Sequence, residues 1–67
     1  MVNHILLEEK IKQSGKKVGY LAAACGMHIN TFKKKRDGES DFTVPEVEVL
    51  SKELPLTDSE CIDIFFA

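Results

Sequence analysis

VGYLAAACGMHINTFKKKRDG, residues 18–38, is the stretch whose reading decides the fold. Val18, Leu21, Ala22 and Cys25 recur at i, i+3, i+4 and i+7, which is one apolar stripe on a helix. Ala22 is small where a second helix must cross closely. Gly26 can take the positive φ that ends a helix without a Cβ penalty. Met27 can then turn back toward the core, and Phe32 sets the inner face of a second helix. Gly26-Met27-His28 leaves only a short connection, so the spacing predicts a helix-turn-helix over about residues 18–37.

The second helix carries the functional expectation. Lys33, Lys34, Lys35 and Arg36 are consecutive, so at about 100° per residue they spread around the helix and form no single basic face. With Phe32 inward, Asn30, Lys33, Lys34 and Asp37 point outward and Ile29 sits near the leading tip. Lys35 and Arg36 lie at the flanks, where their stems can cover apolar surface and their heads reach water or phosphate. The outward face suits a DNA major groove: Asn pairs with adenine edges, Lys donates to guanine, and Ile touches a thymine methyl. His28 opens this helix, and Lys16 and Lys17 precede the first helix of the pair, where they either clamp phosphates or belong to a solvated loop. The candidate DNA-binding set is therefore Lys16, Lys17, His28, Ile29, Asn30, Lys33, Lys34, Lys35 and Arg36. A solvated charge run is the alternative, and the preceding turn favours the DNA-reading role.

On Leu21-Ala22, Cys25-Gly26-Met27, Thr31-Phe32 and Asp37-Gly38 the chain resembles the small Cro/repressor-type helix-turn-helix regulators of temperate phages. Asp41-Phe42-Thr43 and the closing Ile64-Phe65-Phe66 are similar to short repressor-like proteins of phages of Gram-positive bacteria. Two positions depart from the pattern. His28-Ile29 stands where a Ser or Thr cap commonly opens the recognition helix, and Lys35 stands where an apolar residue is frequent. The resemblance implies an all-α, compact five-helix lambda-repressor-like domain over residues 1–67. It also implies a regulator of a lysis/lysogeny switch that binds double-stranded operator DNA inside the bacterial host. An antirepressor or modulator that engages the cognate phage repressor protein fits the same resemblance, and a homodimer stays open.

The flanks carry clear helix grammar. Asn3 is a good N-cap, with Val2 and Leu7 as a staple, and Ile5, Leu6 and Ile11 set an inner face. Glu8 and Lys12 form an i,i+4 pair, and Ser14-Gly15 ends the helix. Thr43 with Glu46, and Thr57 with Glu60, form two capping boxes. After the first, Val44, Val47, Leu50, Ser51 and Leu54 follow at helical spacing, and Pro55 closes that helix. After the second, a helix of about two turns runs to Phe65 or Phe66, giving five helices in all.

Composition sets the outer limits. Sixty-seven residues make one domain near the lower limit for an unstapled core. No apolar run is long enough to span a bilayer and no signal-peptide pattern opens the chain, so the expected location is cytoplasmic. Cys25 and Cys61 lack disulfide-framework spacing and are expected as buried thiols. No nucleophile–base set or phosphate loop occurs. Cys25 and His28 have a spacing that a zinc site could use, but the turn already explains both. Only His4 and Cys61, on distant segments, remain as further ligands, so neither an enzyme nor a metal or other cofactor is expected. The net charge of −2 is low for a DNA binder, but residues 1–36 hold eight of the nine basic residues and two of the eleven acids. A basic half and an acidic half suggest two surfaces. Glu39 and Asp41, with the apolar cluster at Ile62, Phe65 and Phe66, are the candidate partner-binding residues.

Overall fold

Why each helix starts and stops where it does is visible in its caps. A computed structural model describes residues 2–66 as α1 (His4–Ser14), α2 (Val18–Ala24), α3 (Ile29–Arg36), α4 (Val44–Glu53) and α5 (Asp58–Phe65). Among the described residues there is no strand. Asn3 caps α1, its Oδ1 accepting from the Leu6 N–H at 3.2 Å. Both capping boxes form: Thr43 with Glu46 opens α4, and Thr57 with Glu60 opens α5. At the end of α2 the Met27 N–H donates to the Ala22 carbonyl and the Gly26 N–H to that of Ala23, both at 3.0 Å. That pairing requires the left-handed φ of 72° that Gly26 adopts.

α2 and α3 make the most extensive helix–helix contact, and α1, α4 and α5 close around them. Leu7, Leu21, Phe32, Leu50 and Ile64 have no exposed surface, and Ala22 retains 1%. Phe42, on the loop after α3, meets Phe32 edge-on at 5.8 Å and Phe65 edge-on at 5.5 Å. Such geometry suits the ring quadrupoles and joins α3 to α5 through one aromatic row. The Asn3 N–H donates to the Ile64 carbonyl at 2.7 Å, tying the start of α1 to α5. The radius of gyration, 10.4 Å, is that of a compact chain of this length.

Four expectations are corrected. Ile5 is 70% exposed while Leu7 is fully buried, so the stripe of α1 is rotated from the expected one. Val44, the first residue of α4, is 62% exposed although it shares a face with the buried Val47, three residues on. Glu8 reaches Arg36 of α3 at 3.7 Å, and no Glu8–Lys12 bridge forms. Cys25 and Cys61 are free but half-buried, and burial, then the nearby Glu46 carboxylate, pushes the Cys25 thiol up.

Truncating the central ring tests this packing. Phe32→Ala is expected to cost about 3–5 kcal/mol, against about 1 kcal/mol for Thr43→Ala or Thr57→Ala, which each remove a cap. Urea unfolding followed by circular dichroism measures all three. Equal midpoints for Phe32→Ala and wild type would show that α3 is anchored elsewhere.

Candidate nucleic-acid interface

α3 is short, and its orientation is fixed from both sides. Phe32 fills the core, while at the N-terminus the His28 Nδ1 lone pair accepts from the Asn30 N–H at 3.1 Å. His28 thus does the capping that the absence of Ser or Thr had put in question. With the helix so held, Asn30, Thr31, Lys33 and Lys34 are all exposed. Lys17, the N-cap residue of α2, is exposed beside them. Lys17, Lys33 and Lys34 make no ion pair within the described residues.

The other basic candidates are placed differently. Lys16 is half-buried, its ammonium donating to the Glu53 carbonyl at 2.6 Å and to Glu53 Oε1 at 2.8 Å. Lys35 donates to Glu46 Oε1 at 2.7 Å, on the inner flank of α3. Arg36 lies against Asp37, with Nε to Oδ1 at 2.9 Å, and near Glu8. Lys10 pairs with Glu60. The two halves of the sequence therefore do not become two faces. Acids of the second half cross over and hold cations of the first.

Both capping-box glutamates serve twice. Glu46 Oε1 accepts from the Thr43 N–H at 2.9 Å as well as from Lys35, so the start of α4 is fastened to α3. Glu60 accepts from the Thr57 N–H at 2.9 Å and pairs with Lys10, fastening α5 to α1. Burial pushes the Glu46 carboxyl up, but Lys35 and the Thr43 N–H outweigh it and hold it below the ordinary range. Lys16, then the Tyr20 hydroxyl, lowers Glu53. Lys10, then the Thr57 N–H, lowers Glu60.

Beside the exposed face of α3 lies an open groove of about 830 Å³. Its floor is Val18, Gly19, Tyr20 and Ile29, and its rim is Lys16, Lys17 and Lys33. Ile29 is half-buried, and its Cδ1 would lie 3.7 Å from a Cβ at position 19. The sequence pattern had passed over Gly19 and Tyr20. The readable signal was a glycine inside a helical run, where the missing side chain costs helix stability unless the space has a use. Lys16 Nζ also stands 5.7 Å from the Tyr20 ring centroid.

Of the candidate partner residues, Glu39 and Asp41 are exposed, as are Ile62 and Phe66 at 55% and 61%. Phe65 is not a surface residue: at 7% exposure it belongs to the core, where Phe42 meets it. No helix of the described residues is long and apolar enough to cross a membrane. Among those residues no cluster of His, Cys, Asp and Glu is arranged to hold a metal ion. Comparison with family models, with curated proteins and with solved structures returns no match.

The three paired glutamates predict an acid-sensitive fold. A carboxyl whose folded pKa lies below its unfolded one stabilises fully above the unfolded value, about 4.3 for glutamate, and loses that contribution as pH falls through the folded value. Thermal unfolding is expected to stay level from about pH 7 to 5 and to fall steadily below about pH 4. Glu46→Gln should be less stable at neutral pH and flatter on acidification. A melting temperature unchanged down to about pH 3 would show that the pairs do not form in solution.

Proposed function

We propose that this chain is a phage-type transcriptional regulator of a lysis/lysogeny switch, a lambda-repressor-like helix-turn-helix that reads operator DNA with α3. The observation that carries the reading is the outer face of α3. Asn30, Thr31, Lys33 and Lys34 are exposed together, while Phe32 among them is fully buried and fixes their direction. In a major groove the Asn30 amide can pair with an adenine edge, and Lys33 and Lys34 can donate to guanine or phosphate. Lys17 and the first-turn N–H groups of α2 face the flanking backbone, where they position the domain without reading sequence. Lys16, Lys35 and Arg36, held by carboxylates, support the domain rather than the contact.

A second reading, an antirepressor that binds the cognate phage repressor protein, is favoured by the apolar floor of the groove beside α3. Protein–DNA contacts are more polar than that floor. Titrating the purified repressor with this chain tests it directly.

Fluorescence anisotropy with DNA from the adjoining control region tests the first reading. If Lys17, Lys33 and Lys34 each neutralise one phosphate, affinity should fall with salt at a log–log slope of about −3. Asn30→Ala should lose about 1–3 kcal/mol and relax discrimination at one base pair. Lys17→Ala should weaken all sequences alike, whereas Lys35→Ala should lower stability and leave the affinity of the folded protein unchanged. Absence of binding at low salt, or binding indifferent to salt, would overturn the proposal.

A further inference from the structure

The groove beside α3 and the outer face of α5 are both apolar at their centre and opposite in charge at their borders, and they belong to one chain. The groove is concave and apolar at its floor, with unpaired ammonium groups at Lys17 and Lys33. Opposite in character, Ile62 of α5 and its C-cap residue Phe66 are both exposed, and the Phe66 N–H donates to the Ile62 carbonyl at 2.9 Å, which places Phe66 one turn beyond Ile62. Asp58 and Asp63 are exposed beside them and take part in no ion pair within the described residues. A convex apolar ridge bordered by carboxylates is what an apolar groove bordered by ammonium groups accepts.

We propose that the groove seats α5 of a second copy of this chain, in a head-to-tail contact. The chain's own α5 is not the occupant, because Ile64 and Phe65 are buried in the core and Lys10 holds Glu60. No α5 residue lines the groove, so the two surfaces are separate and both remain available. Gly19 shapes the seat: it lies in an ordinary helical conformation, and a larger side chain there would project over Ile29 into the groove. A contact between two different patches is heterologous, so a bound pair still presents one free groove on one copy and one free ridge on the other. The buried surface of one helix in one groove puts this in the weak, transient class. The inference is independent of DNA binding, although a seated α5 covers Lys17 and Lys33 and would exclude DNA from that copy.

Sedimentation velocity on the DNA-free full chain tests it. The wild type is expected to associate increasingly with concentration, and less so as salt rises. Gly19→Leu, which fills the groove, and Phe66→Ser, which removes the ridge, should each abolish association while keeping the wild-type circular dichroism spectrum. Mixed in equal amounts, they should form a one-to-one dimer that grows no further, since each supplies the surface the other lacks. If either variant fails to fold, Lys33→Glu and Asp63→Lys, both at exposed positions, replace them. Each alone sets like charges against each other and should not associate, whereas in the mixture both unlike contacts are charge-matched and association should return. A wild type that stays monomeric at millimolar concentration, single variants that associate unchanged, or a mixture that stays monomeric would each overturn the proposal. Anisotropy with DNA reads the other hypothesis separately, so the failure of one is distinguishable from the failure of the other.

Discussion

The burial of one ring, Phe32, fixes where every other side chain of α3 points. The helix is two turns long and could not hold its own orientation in water, since isolated helices of that length are marginal. Phe32 has no exposed surface, and Phe42 and Phe65 continue from it in an edge-to-face row. Ala22, nearly as buried, keeps α2 thin enough for α3 to lie against it. At about 100° per residue, one inward position determines the rest. Asn30, Thr31, Lys33 and Lys34 are exposed because Phe32 is not.

Charge does the fastening that so small a core leaves undone. The cations of the first half and the acids of the second are segregated along the chain and interleaved in space. Lys10 of α1 meets Glu60 of α5, Lys16 of the α1–α2 connection meets Glu53 of α4, and Lys35 of α3 meets Glu46 of α4. A surface ion pair alone contributes about 0–1 kcal/mol. Glu46 and Glu60 differ from the usual case because the same carboxylate also caps a helix, so removing it loses a cap and a cross-helix tie together.

Local rules were legible in the sequence because their partners are close along the chain. Asn3, Thr43, Thr57 and Gly26 all act where their residue types and spacing place them. The outward face of α3 followed from a single inward aromatic. What stayed hidden depends on partners remote in sequence. Nothing near Lys35 announces Glu46: the helical period put Lys35 and Arg36 at the flanks, and only the fold shows that carboxylates hold them there. Ile5 and Leu7 are equally apolar, and only the angle at which α1 meets α3 and α5 decides which is buried. Phe65 and Phe66 pose the same choice: the ring that reaches Phe42 enters the core, and its neighbour, about 100° around the helix, is left outside.

The pairing of Lys16, Lys35 and Arg36 bears on how this surface recognises anything at all. Sequence-independent attraction to DNA grows with the number of phosphates neutralised. A domain of net charge −2 with Lys17, Lys33 and Lys34 free beside α3 has little of it. Contacts that depend on shape and on directed hydrogen bonds therefore carry a larger share of any affinity than they would on a strongly basic domain. The floor formed by Gly19, Tyr20 and Ile29 points the same way, because apolar area gains free energy only where a matching apolar surface displaces its water. A thymine methyl offers such a surface in small measure and an aromatic side chain in large measure. If α3 recognises a partner as proposed, fit within the groove would supply the part of the affinity that three free lysines leave unsupplied, and those lysines would also speed the encounter.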